Sequence, residues 1–193
     1  DYISDEHFVI SDAKRSDIFN SAKMYADTFF QHFNFDAVTI SPYMGFDSVS
    51  PFLREDKFAI LLAVTSNPSA KDIQSLITKS GDPVYIELVK KAQAWSSYKN
   101  MMFVVGATCP NEMKLIRDAA PNHFFLVPGV GAQGGDLQEV VESGFNKHCG
   151  LLVNVSRAIL YADNTKDFAA FSRDKCKKIQ SQMADILDFK SFI

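Results

Sequence analysis

His7-Phe8-Val9-Ile10-Ser11-Asp12-Ala13-Lys14-Arg15-Ser16-Asp17 begins as an apolar run and ends as a cluster of charges. The run predicts a buried strand over 7–11. Side chains two apart on a strand project to the same side, so Asp12 and Lys14 are expected together at its carboxyl end. An anion and a cation are then fixed side by side in one mouth. A second stretch repeats the arrangement: His123 to Val127 (HFFLV) predicts a strand, and Pro128-Gly129-Val130-Gly131-Ala132-Gln133-Gly134-Gly135-Asp136 follows it directly. Four glycines there are expected to leave backbone N–H groups free for close approach to an anion. A phosphorylated small molecule suits such a pair of features.

Working outward, short β-type runs alternate with longer amphipathic segments, the pattern of βα units around a parallel sheet. Six strands are predicted, at 7–11, 36–40, 58–64, 101–107, 123–127 and 150–154. Helices are predicted at 19–33, 46–53, 70–78 with 83–97, 111–118, 136–142 and 166–188, opened by Asp, Ser or Asn as caps. No linker or low-complexity stretch divides residues 1–193, which read as one catalytic domain of class α/β. Chemistry is expected at the carboxyl ends of the strands.

Composition narrows the function classes. With 47% hydrophobic residues the chain has material for a sizeable core, and a net charge of only −3 without a basic stripe argues against nucleic acid as a partner. Apolar runs such as Phe58 to Val64 and Met101 to Ala107 fall far short of the ~20 residues that span a bilayer, and no signal peptide opens the sequence. A soluble, cytoplasmic protein with no membrane partner is expected. Cys109, Cys149 and Cys176 show no metal-ligand spacing and suggest neither disulfide nor zinc.

Taken with FDAVTISPYMGFDSVSPF (35–52), VTSNP (64–68), VVGAT (104–108) and SRAILYA (156–162), the two segments carry a resemblance over nearly the whole chain. It resembles orotidine 5′-monophosphate decarboxylase, in the bacterial branch with the DAKR-type motif. The resemblance implies a (β/α)8 TIM barrel of which this chain carries about six βα units, strands 3 to 8. It implies that the chain is amino-terminally incomplete, lacking a ribose-contacting Asp on strand one and a Lys on strand two. The activity implied is cofactor-independent decarboxylation of orotidine 5′-monophosphate to uridine 5′-monophosphate in de novo pyrimidine biosynthesis, by a homodimer. Lys14 would be the proton donor, with Asp12 beside it and Asp17 contributed by the second subunit. Ile18, Ser21, Ser66, Pro128, Gly129, Gln133 and Arg157 would bind the nucleotide. Within that set, Ser21 stands for a usual Thr, Phe19 for a usual Gly, and Val155 for a common Ser.

Each residue has a plainer alternative. Asp12 and Lys14 make a simple surface pair, Asp17 is a favourable helix N-cap, Thr65 to Pro68 is an ordinary turn, and Arg157 is an exposed helix cap. Asp36, Asp47, the four histidines, Trp95, Met101 and Met102 are expected to be structural, and Lys175-Cys176-Lys177-Lys178 to be the solvated face of the last helix. Two other readings stand beside this one: a Mg²⁺-dependent sugar-phosphate decarboxylase, aldolase or epimerase, which shares the motif Asp-x-Lys-x-x-Asp, and a catalytically inactive nucleotide-binding protein or fragment, given the missing strands. The first calls for more carboxylates near the cluster than the sequence offers.

Overall fold

The computed structural model describes residues 3–131 and 134–189. Six strands, β1 (Ile10–Arg15), β2 (Ala37–Ile40), β3 (Phe58–Val64), β4 (Met101–Val105), β5 (Phe125–Pro128) and β6 (Leu151–Asn154), form one parallel sheet in sequence order. Strands covered on both faces need apolar residues at almost every position, and FAILLAV of β3 and MMFVV of β4 supply them. Alternation sorts these residues into two layers. Ala59, Leu61, Ala63, Met101, Phe103, Val105, Phe125 and Val127 face outward into the main core beneath the helices. Ala37, Ile60, Met102, Val104 and Leu126 face inward, where Ile10 of β1 and Leu152 of β6 join them. Contact across that inner face requires the sheet to curl, and the result is a half-barrel.

Helices α1 (Phe19–Asp27), α2 (Phe46–Val49), α3 (Val84–Trp95), α4 (Pro110–Ala119), α5 (Leu137–Gly144), α6 (Arg157–Leu160) and α7 (Phe168–Phe189) fill the connections. Tyr85, Ile86, Val89 and Ala92 put one stripe of α3 into the core, and Met113 and Ile116 do so for α4. No described helix is long and apolar enough to cross a membrane.

The structure corrects several sequence expectations. The first strand lies at 10–15 instead of 7–11, because β2 pairs with it beyond the charges, Arg15 opposite Ile40, through an irregularity between Ser11 and Arg15. Residues before Ile10 are held by Asp36 instead, whose Oδ2 accepts the Val9 N–H at 2.7 Å. The helix expected over 19–33 finishes as a π-helical turn at Thr28–His32, and that over 46–53 as a 3-10 turn at Ser50–Phe52. No α-helix forms over 70–78. After a 3-10 turn at Pro68–Asp72, the chain runs beside 82–85, with the Val84 N–H on the Leu76 carbonyl at 2.9 Å and the Tyr85 N–H on the Gln74 carbonyl at 3.1 Å. Of the expected caps, Asp136 acts as one, accepting the Glu139 N–H at 3.0 Å. Helices α1, α3 and α4 start at Ile18, Pro83 and Cys109 without a side-chain cap.

Candidate active site

A parallel sheet gathers its six carboxyl ends at one rim, and the sequence motifs lie there. On β1 the side chains of Asp12 and Lys14 share a face, and Lys14 Nζ approaches Asp12 Oδ1 to 2.6 Å with both groups open to solvent. Lys14 has a φ of +48°, a left-handed conformation that a non-glycine residue adopts at a cost of ~1–3 kcal/mol and that concentrates at functional sites. Beside the pair sits Thr39 of β2, fully buried. Its hydroxyl accepts the Lys14 N–H at 3.0 Å and donates to Asp12 Oδ1 at 3.0 Å.

Asp17 follows on the rim, but its Oδ1 accepts the N–H of Ile18 at 2.8 Å, so it is not the cap of α1. Within the chain, no hydrogen bond or ion pair among the described residues joins Asp17 to Lys14 or Asp12. Ser21 lies exposed on α1. Ile18, Phe19, Tyr43, Met44 and Phe46 are large apolar side chains left in solvent on the same rim. Phe19 has a φ of +47°, so it keeps the backbone conformation for which glycine is suited.

Ser66, half-buried, stands just past β3. A Cβ on Gly106 would come within 3.1 Å of the Ser66 backbone N and Cβ, so the glycine after β4 makes room for that residue. Gln74 steadies the same turn, accepting the Thr65 N–H at 2.9 Å and donating to Thr65 Oγ1 at 2.9 Å.

The glycine-rich loop is closed upon itself. Gly131 N–H donates to the Gly135 carbonyl at 2.9 Å, Gly134 N–H to that of Gly131 at 3.0 Å, and Gly135 N–H to that of Gly129 at 3.2 Å. Three of the four glycine N–H groups are therefore engaged inside the loop, against the expectation that they stand free. Glycine is needed at 135 for a different reason: a Cβ there would lie 2.5 Å from Ala107 Cβ and 2.9 Å from the Gly129 carbonyl oxygen. Pro128 ends β5 and its carbonyl takes the Ala107 N–H at 2.9 Å. Gln133 lies outside the described residues.

Arg157 opens α6, is exposed, and has no hydrogen-bond or ion-pair partner for its guanidinium among the described residues. It borders a cavity of about 850 Å³ together with Gly131, Gly135, Asp136, Tyr161 and the α7 residue Lys175. A free guanidinium beside a glycine loop suits a phosphate, which it can bind through paired donors. The structure thus joins Arg157 to the loop in one cavity. Asp12, Lys14, Asp17, Ile18, Ser21 and Ser66 do not line it.

Sequence reasoning overlooked Thr39, Gln74 and Arg117. Only Thr39 gives a signal, as the one polar residue in the buried strand AVTI. Arg117 lies inside the protein without a carboxylate. Its guanidinium donates to the carbonyls of Gly144 (2.7 Å), Ala120 (3.1 Å), His123 (2.6 Å) and Gly150 (2.9 Å) and stacks 3.7 Å from the Phe125 ring. Burial pulls its pKa down to about 10. His123, buried against it with no hydrogen bond to either ring nitrogen, is lowered to about 4 by burial and by the Arg117 charge. Among the described residues no group of three His, Cys, Asp or Glu is arranged to hold a metal.

Fold and rim together define an α/β half-barrel with a Lys–Asp pair and an arginine-flanked glycine loop at its carboxyl end. Residues 2–170 match the orotidine 5′-phosphate decarboxylase / HUMPS family, and the chain belongs to that family. It is 50% identical over 183 residues to an orotidine 5′-phosphate decarboxylase of Phocaeicola vulgatus, covering 94% of this chain and 67% of that protein. Among solved structures it resembles UMP synthase of Leishmania donovani, with a TM-score of 0.82 and 38% identity over 93% of this chain and 40% of that one. It also resembles orotidine 5′-monophosphate decarboxylase of Methanocaldococcus jannaschii, solved with the inhibitor BMP, with a TM-score of 0.68 and 25% identity over 88% of this chain and 73% of that one. The chain spans about two thirds of the length of the curated relatives it matches.

Proposed function

We propose that this chain supplies the Lys14 catalytic centre of an enzyme that decarboxylates orotidine 5′-monophosphate to uridine 5′-monophosphate and CO₂, in pyrimidine biosynthesis in the cytoplasm. The observation that carries the reading is the 2.6 Å Lys14–Asp12 pair on the strand rim of a chain that belongs to this family. Breaking the C6–carboxylate bond leaves its electron pair on C6, a carbanion with little delocalisation. A fixed ammonium stabilises that charge as it develops and then delivers a proton to C6. In this reading Lys14 is that group. Asp12 holds it, and Arg157 grips the phosphate, so that binding energy remote from C6 is used at the reacting carbon. Ser66, Pro128, Gly129 and Gln133 complete the nucleotide's contacts in this reading, and no cofactor is required by it.

The 193 residues are read as six units of one (β/α)8 domain, and the site as shared between two copies of the protein. Support for sharing comes from Asp17, which no hydrogen bond or ion pair among the described residues joins to Lys14 of its own chain, and from the exposed apolar side chains Ile18, Phe19, Tyr43, Met44 and Phe46 on the same rim. Asp17, Ile18 and Ser21 then reach the partner's substrate. Inactive Lys14→Ala and Asp17→Ala proteins allowed to exchange subunits should regain roughly a quarter of wild-type activity, since half the dimers are mixed and half their sites intact. Exchange without recovery would assign Asp17 to its own chain's site.

The direct test is release of CO₂ from carboxyl-labelled orotidine 5′-monophosphate by the full-length protein, with and without EDTA. Turnover untouched by EDTA is expected. Turnover that EDTA abolishes and Mg²⁺ restores would move the protein to metal-dependent sugar-phosphate chemistry, and nucleotide binding without any turnover would make it a binding protein.

A further inference from the structure

The Lys14–Asp12 pair is not held by β1 alone. Lys14 sits at a φ of +48° where the pairing of β1 with β2 is irregular, and its N–H points at the Thr39 hydroxyl, 3.0 Å away. Thr39 has one proton to give, and with its Oγ1 accepting from Lys14 that proton goes to Asp12 Oδ1 at 3.0 Å. Asp12 Oδ1 in turn takes the Lys14 ammonium at 2.6 Å. The four groups form a closed ring whose two arms converge on one acceptor: Lys14 N–H donates to Thr39 and Thr39 O–H to Asp12 Oδ1, while Lys14 Nζ–H donates to the same Oδ1 from the other side. Both ends of the Lys14 residue, backbone and ammonium, are thereby referred to one buried side chain. Thr39 has no exposed surface, and it is the polar member of a strand otherwise made of Ala37, Val38 and Ile40.

We infer that Thr39 is a positioning residue of the active site: its hydroxyl fixes Lys14 in the left-handed conformation and orients the Asp12 carboxylate, so that the ammonium is aimed before substrate arrives. The inference rests on the proposed decarboxylation for its kinetic consequence, but its geometric content stands without it. Thr39 has no surface to offer a substrate, so the residue acts through Lys14 and Asp12. A valine at 39 keeps the shape of the side chain and supplies neither an acceptor for the Lys14 N–H nor a donor for Asp12. The backbone N–H then lacks its partner, the strained φ loses its restraint, and the ammonium drifts. Misplacement of a catalytic group by about 1 Å is enough to lower a rate by about 100-fold.

Thr39→Val, Thr39→Ser and wild type are compared as full-length proteins, with folding checked by circular dichroism. The expected result for Thr39→Val is a fall in kcat of about 10- to 100-fold, with the dissociation constant for uridine 5′-monophosphate close to that of wild type. Thr39→Ser restores the hydroxyl and should recover kcat to within about three-fold of wild type. A role in packing alone would treat the two variants the other way round, since serine loses the methyl that valine keeps. If valine prevents folding, Thr39→Ala against Thr39→Ser makes the same comparison of hydroxyl against none. A crystal structure of the hydroxyl-free variant reads the geometry independently of turnover: Lys14 should leave the left-handed region or its Nζ separate from Asp12. Wild-type kcat in folded Thr39→Val, or an unmoved Lys14–Asp12 pair in its crystal structure, overturns the inference. A wild-type protein that fails to decarboxylate overturns the proposed function instead, and the crystal structure then decides Thr39 alone.

Discussion

Lys14 Nζ lies 2.6 Å from Asp12 Oδ1, two residues away on the same face of one strand, with both groups in contact with solvent. Such a pair contributes little to stability, because exposed ion pairs are worth ~0–1 kcal/mol. Its geometry serves a reaction better than it serves the fold. Lys14→Ala should therefore leave the melting temperature and the affinity for uridine 5′-monophosphate nearly unchanged while kcat falls by at least about 100-fold, the loss of a general acid. Unchanged kcat with a raised KM would remove Lys14 from proton transfer.

Arg157 borders the glycine-loop cavity with its guanidinium unpartnered among the described residues. Arg157→Ala should weaken binding of the nucleotide by ~2–5 kcal/mol, as for one partner of a desolvated charge pair, and leave binding of the nucleoside lacking phosphate unaffected. Titration calorimetry with the two ligands measures the difference. Equal losses for both would assign Arg157 to folding.

Phe19 holds a left-handed φ of +47° with its ring largely in solvent. Relief of ~1–2 kcal/mol of backbone strain in Phe19→Gly is offset in part by the greater freedom of glycine in the unfolded chain, for a net gain of up to ~1 kcal/mol. Urea denaturation checks it. A clear loss of stability would show the ring buried against a partner copy.

His123, folded, has a pKa of about 4 against an ordinary 6.5, lowered by burial and then by Arg117. The folded protein refuses a proton that the unfolded chain accepts between those values, so stability falls as the pH drops from about 6.5 to about 4, by up to ~3 kcal/mol. Below the folded value this contribution to the slope ends. His123→Leu should flatten the stability profile across that window relative to wild type, and identical slopes for the two proteins would show that His123 does not titrate there.

Arg117 meets four carbonyls around the entries to β5 and β6. Arg117→Met strands those buried acceptors and should cost at least ~3 kcal/mol in thermal or urea unfolding. Arg117→Lys should recover only part of it, since an ammonium has neither the planar fork nor the stacking surface that meets Phe125. Full rescue by lysine would show that charge alone matters.

The parallel α/β class and the number of strands are legible in the sequence alone, most plainly in FAILLAV of β3 and MMFVV of β4, because strands covered on both faces must be apolar throughout. The sequence also determined that Asp12 and Lys14 share a side, since the two-residue period of a strand holds wherever the strand begins. Tertiary structure decided the rest. Local pattern could not place β1 at 10–15, because β2 sets that register by pairing beyond the charged residues. The helical period over 70–78 gave way to backbone contacts with 82–85, and the glycine loop turned its N–H groups onto its own carbonyls. Thr39 and Arg117 matter through partners 25 to 33 residues away, Lys14 and Asp12 for the one, Gly144 and Gly150 for the other. A hydrogen bond across such a distance in the chain has no period and no motif; only the curl of the sheet and the packing of its helices bring its two ends together.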